Sequence, residues 1–212
     1  MPRRLDRIAA SKPLVFAAAL VPLLLLALDT RAGTLGADPV ATLEHATGLW
    51  ALRFLLATLA ITPLRRLTGW HGLVRYRRML GLFAFFYASL HLAIYLVVDL
   101  GGFWAQIFGE IAKKPFITVG FLAWLLMVPL ALTSTRGMMR RLGRRWSTLH
   151  RLVYAAGALA ALHFVWQVKW GETIAALEPV VYATIFAGLM LARLGPWPRA
   201  RSKAVAAKGE QG

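Results

Sequence analysis

Apolar residues in this chain come in long unbroken runs, not in the alternation of a half-buried strand. Six runs stand out, at 13–28, 46–64, 79–98, 116–132, 151–168 and 174–192. About 17–25 residues rising about 1.5 Å each cross a hydrocarbon core of about 30 Å, so each run is predicted to be a membrane-spanning helix. Arg53 interrupts the second run, and Glu178 and Pro179 stand near the start of the sixth. The expected fold is all-α: a six-transmembrane-helix bundle in one domain over 1–195, then a basic tail over 196–212 that is expected to be disordered. The connections are too short for a further domain, and no internal repeat is visible.

Composition supports an apolar solvent. Of the 212 residues 58% are hydrophobic, against about 45–50% for a soluble domain. The net charge of +16 would suit nucleic acid, but its placement argues for membrane topology instead. Arg3, Arg4, Arg7 and Lys12 precede the first run; Arg65, Arg66, Arg75, Arg77 and Arg78 lie between the second and third. Arg136, Arg140, Arg141, Arg144, Arg145 and Arg151 lie between the fourth and fifth, and Arg193, Arg199, Arg201, Lys203 and Lys208 follow the sixth. Six crossings put all of these on one side, which the positive-inside rule makes cytoplasmic. Both termini are then expected in the cytoplasm. The N-terminal cations also suit a signal peptide, but Leu28, Asp29, Thr30 and Arg31 offer no small-x-small cleavage site, so the first helix is expected to be retained.

The chain has no cysteine, which excludes structural disulfides, thiolate-held iron–sulfur clusters and c-type haem attachment. Histidine is then the natural cofactor ligand. His91 lies 12 residues into the third run and His163 lies 12 residues after Arg151, so in two helices running outward both stand about 18 Å from the inner end. Two histidines at one depth suggest one site: the two axial ligands of a b-type haem, an interhelical hydrogen-bonded pair, or a proton relay. His150 precedes His163 by 13 residues, about 19.5 Å lower on the same helix. It reads either as a ligand of a second, inner haem or as an interface residue among arginines. On an ideal helix the two side chains diverge by about 140°, so alignment requires a local irregularity. The residue 13 before His91 is Arg78, which leaves that second pair incomplete.

Arginines near the inner boundary, Arg77 and Arg78 among them, serve either as topology signals at anionic headgroups or as forks for haem propionates or a flavin phosphate. Arg53, in the outer half of the second run, either snorkels outward or holds a propionate of the outer haem. Glu44 and His45 are placed at the outer surface just before that run. Trp50, Trp104, Trp166 and Trp170 read as an interfacial belt, and His71 as a solvated loop residue.

The stretches 77–95 (RRMLGLFAFFYASLHLAIY) and 132–169 (LTSTRGMMRRLGRRWSTLHRLVYAAGALAALHFVWQVK) resemble the ferric-reductase-like transmembrane domain. With GADPV at 36–40 and LATLAITPL at 56–64, the chain is similar, from about Gly36 to Ala192, to the MsrQ (YedZ) family of haem-binding membrane subunits. The resemblance implies six inner-membrane helices, haem b and an associated FMN, with essential histidines falling on His91, His150 and His163. It further implies electron transfer to MsrP, a periplasmic molybdopterin enzyme that reduces methionine sulfoxide in oxidised envelope proteins. The donor would be the quinone pool or a cytosolic flavin reductase. Larger members of the superfamily carry two histidines on each of two helices, where this chain has Arg77 and Arg78 in one of the places.

The chain shows no Gly-rich dinucleotide fingerprint and is expected to be an electron-transfer subunit rather than a catalytic one. The rival readings are a stand-alone cytochrome b561-like quinol oxidoreductase and, with histidines as a proton relay, a proton-coupled transporter. The outer acids Glu44, Asp99, Glu110, Glu172 and Glu178 form either a partner surface or ordinary solvated loop charges.

Overall fold

A computed structural model of the chain describes residues 2–103, 109, 111–167 and 173–194. The tail over 196–212, and with it Trp104, Glu110, Trp170 and Glu172, lies outside the described residues. The elements are α1 (Pro2–Ala32), α2 (Pro39–Thr68), a 3₁₀ turn (His71–Leu73), α3 (Val74–Ile94) passing into a π turn (Tyr95–Asp99), α4 (Pro115–Leu132), α5 (Arg136–Leu142), α6 (Arg144–Leu149), α7 (Leu152–Gln167) and α8 (Thr173–Leu194). The described residues contain no strand.

Five stretches, Ala10–Ala32, Pro39–Thr68, His71–Asp99, Pro115–Leu132 and Arg144–Gln167, are long and apolar enough to cross a membrane. Helix α8, at the sixth predicted crossing, is 22 residues long and packs along α7 and α2.

Helix α2 begins earlier than the apolar run suggested. The Asp38 carboxylate accepts a hydrogen bond from the Ala41 N–H at 3.0 Å, and Pro39 opens the helix, where its missing N–H leaves nothing unsatisfied. Glu44 and His45 therefore stand inside α2, not before it: a correction whose cause is a polar cap that hydrophobicity does not register. At the other end Gly69, with φ 66°, closes the helix in the left-handed conformation open to glycine without strain.

Helices α2 with α3, and α4 with α7, form two closely packed pairs. Between them lies a core in which Phe54 stacks on Phe83 at 5.5 Å and on Tyr87 at 5.4 Å between ring centres. Leu59, Ala84 and Ala156 are fully buried there. Large apolar side chains such as Leu14, Leu24, Leu132 and Leu191 face outward, as they do when the surroundings are as apolar as the core. Polar contacts tie helix α1 to α3: Tyr87 Oη donates to the Ala19 carbonyl at 2.9 Å, and the Ser11 and Tyr76 hydroxyls bond each other. Arg193 anchors the end of α8, donating to Tyr154 Oη at 2.9 Å and to the Leu59 carbonyl.

The predicted fifth segment is not one even helix. Between α6 and α7 the Arg151 N–H bonds back to Thr148 at 3.1 Å and the Tyr154 N–H to Arg151 at 3.0 Å, the three-residue spacing of a tightened turn. Such a turn advances about 120° per residue against about 100° in an α-helix. Tightening rotates His150 in the sense that reduces its divergence from His163.

Candidate functional site

His91 on α3 and His163 on α7 face one another across the bundle, their ring centres 6.3 Å apart and their planes at 71°. Each ring is held by a main-chain carbonyl of the neighbouring helix: His91 Nδ1 donates to Glu44 O at 2.9 Å and His163 Nδ1 to Phe116 O at 2.7 Å. A carbonyl only accepts, so each Nδ1 carries the proton and the Nε2 of a neutral ring keeps its lone pair. Among the described residues neither Nε2 has a hydrogen-bond partner. Phe116 also packs its ring on His163 at 6.2 Å.

Two glycines make this placement possible. A Cβ at Gly48 would stand 3.2 Å from His91 Nδ1, and one at Gly120 only 2.7 Å from His163 Nδ1. Each glycine lies four residues, one helical turn, after the carbonyl that holds its histidine. Hydrogen-bond partner and histidine are 47 residues apart in both cases. The two helix pairs thus repeat one device, although their sequences show no repeat. The apolarity of a membrane segment hides these glycines and carbonyls from inspection; the sole sequence signal is the equal spacing of 43 residues from Gly48 to His91 and from Gly120 to His163.

The arrangement fits a bis-imidazole metal site. A nitrogen–metal distance of about 2 Å on each side, with the offset of each nitrogen from its ring centre, accounts for the separation of the rings. No group of three His, Cys, Asp or Glu side chains gathers among the described residues, so the pair does not extend to the three protein ligands of a catalytic zinc site.

His150 is set apart from that pair. Its Nδ1 bonds the Trp146 carbonyl at 3.0 Å, and its ring stacks on Trp146 at 3.8 Å. Its Nε2 is buried without a hydrogen-bond partner among the described residues. Arg77 stands on the first turn of α3. Arg78, the residue next to it, lines a groove between α3 and α1. Arg77, about 100° around the helix from it, is not among the residues that line this groove.

Arg53 turns toward α8. Its Nε donates to Tyr182 Oη at 2.7 Å, and its guanidinium lies 4.0 Å from Glu178 and 4.8 Å over the Trp50 ring. Glu178 also meets His45 Nε2 at 3.2 Å, so this acid is engaged within the chain rather than standing free. Trp166 is half exposed, and His71 bonds the Gly69 carbonyl at 2.9 Å in an exposed turn.

An all-α chain with several apolar helices and a facing histidine pair belongs among multi-pass membrane proteins of the ferric-reductase type; residues 47–161 match the family described as "Ferric reductase like transmembrane component". Among proteins of known name, the chain is 60% identical over 189 residues to the "Protein-methionine-sulfoxide reductase heme-binding subunit MsrQ" of Xanthomonas euvesicatoria pv. vesicatoria, covering 86% of this chain and 85% of that one. The protein of the same name from Xanthomonas campestris pv. campestris (strain 8004) is 54% identical over 98% of this chain and 95% of its own. That of Brucella ovis is 50% identical over 93% and 88%. The chain belongs to the MsrQ family.

Proposed function

We propose that this chain is the haem-binding, electron-carrying membrane subunit of a methionine sulfoxide reductase system. The observation that carries the reading is the His91–His163 pair, with each Nδ1 committed to a carbonyl, each Nε2 left as a lone pair and the rings 6.3 Å apart. These two Nε2 atoms would hold haem b, which would supply one-electron redox chemistry; with both ligands drawn from the protein it would suit electron transfer rather than oxygen binding. The carbonyls of Glu44 and Phe116 fix the ring orientations, and Gly48 and Gly120 give the rings room.

On this reading six helices cross the inner membrane with both termini in the cytoplasm. Electrons arrive from the quinone pool or a cytosolic flavin reductase and leave to a periplasmic molybdopterin reductase of the MsrP type. Arg53, near the middle of α2, is the candidate partner for a propionate of the outer haem. His150, with its buried free Nε2, is the candidate ligand of an inner haem, and Arg77 and Arg78 carry forks able to meet a propionate or the phosphate of an FMN.

Purified full-length chain supplied with haem should show a b-type spectrum, lost in His91→Ala and in His163→Ala; a wild type that stays colourless would overturn the reading. Membranes containing the chain should pass electrons to an MsrP-type enzyme. Quinol oxidation without any reduction of that enzyme would favour a stand-alone cytochrome b561-like role.

A further inference from the structure

Helices α1 and α3 leave between them a groove of about 440 Å³ whose lining changes in chemistry from end to end. On α1 the lining residues Lys12, Phe16 and Leu20 follow at intervals of four, one face of a helix. On α3 Arg75 and Arg78 are three apart and the stripe continues through Leu82 and Phe86. Both helices therefore present a stripe that is cationic at one end and apolar beyond it, and no acidic residue is among the described residues that line the groove. Phe16, Leu82 and Phe86 are each about two-fifths to one-half exposed, at 51%, 39% and 41%. Helix α1 is pinned to α3 beside the groove by the Ser11–Tyr76 contact and by Tyr87 on the Ala19 carbonyl. Its edge is thus fixed while its floor stays open.

We infer that this groove binds an anionic phospholipid, with the phosphate against Lys12, Arg75 and Arg78 and an acyl chain along Phe16, Leu82 and Phe86. A phospholipid carries a negative head and an apolar chain in one molecule, in the order in which the groove offers their counterparts. A neutral quinone would match the apolar stripe and leave three cations without a partner. A free phosphate would match the cations and leave the stripe bare. Basic pockets between membrane helices on the cytoplasmic side take acidic headgroups for the same electrostatic reason. The inference rests on the membrane placement of these helices and not on electron transfer; it gives Arg78 a lipid contact in place of a role opposite His150.

The test is native mass spectrometry of the full-length, haem-loaded chain released from micelles doped with either phosphatidylglycerol or phosphatidylcholine. Wild type should retain phosphatidylglycerol in preference. The double variant Lys12→Gln/Arg75→Gln should lose that preference by roughly fivefold for each cation removed. Leu82→Trp, which fills the groove and keeps every charge, should weaken retention as well. The haem spectrum and a single elution peak report that each variant is folded, and Lys12→Gln alone serves if the double variant is not. Equal retention of the two lipids by wild type overturns the inference while leaving the haem reading intact. So does full retention by Leu82→Trp, which would mean a general headgroup attraction, or displacement of the lipid by inorganic phosphate, which would mean a free-anion site.

Discussion

Gly120 sits so close under His163 that a Cβ there would stand 2.7 Å from the ring nitrogen Nδ1. Beside His91 the same contact from Gly48 would be 3.2 Å. The first distance forces a shift of backbone or ring, whereas the second asks for a few tenths of an ångström. Gly120→Ala should therefore disturb the site more than Gly48→Ala, at about 1–3 kcal/mol for the overpacked position. Haem per chain and the thermal midpoint of the loaded protein, measured for both variants, check the order; a larger loss in Gly48→Ala would contradict it.

His150 offers a buried Nε2 without a partner. If it ligates an inner haem, wild type should hold two haems per chain and His150→Ala about half as much. His150→Ala with unchanged haem content would return His150 to the role of a ring stacked on Trp146. Pyridine haemochrome stoichiometry against protein concentration decides between them.

Arg53 links α2 to α8 through Tyr182 and Glu178. Its ion pair is long and both partners are more than a third exposed, at 38% and 39%, so the charge pair alone is worth little. The 2.7 Å bond from Nε to Tyr182 Oη is the stronger contact. Tyr182→Phe should cost about 0.5–1.5 kcal/mol, and Glu178→Gln less. Arg53→Lys should not restore the lost bond, because an ammonium lacks the planar fork that reaches the phenol while lying over Trp50. Thermal unfolding of the three variants in one detergent gives the ranking.

Gly157 on α7 meets α8 at the Phe186 ring, where an added Cβ would approach Cε2 to 2.7 Å. Gly157→Ala should destabilise by about 1–3 kcal/mol. Adding Phe186→Leu should recover part of that loss, since it removes the atoms that clash. A double variant no better than the sum of the two single changes would locate the strain elsewhere.

The depth of His91 and His163 was legible because a membrane helix has a fixed rise per residue, and counting from a charged boundary places a residue along the normal. Their facing could not be read, since depth says nothing about rotation. Arg77 and Arg78 show the same limit. Both mark the inner boundary in sequence, yet of the two only Arg78 is among the residues that line the groove beside α1. The start of α2 was misjudged for a different reason: the apolar run begins at Ala46, but the Asp38–Pro39 cap lets the helix begin within the polar stretch before it.

By itself the sequence determined that the chain is a multi-pass membrane protein, in what order its apolar runs and cations alternate, and that no cysteine is present to ligate a cofactor. These follow from one-dimensional quantities: run length, rise per residue, charge order and the absence of cysteine. Only the tertiary structure decided that two main-chain carbonyls fix the imidazole tautomers, that Gly48 and Gly120 leave room for the rings, and that Arg53 reaches Tyr182 and Glu178 on α8. Those relationships depend on which faces of separate helices meet, and main-chain carbonyls and missing side chains carry no letter in the sequence that announces them.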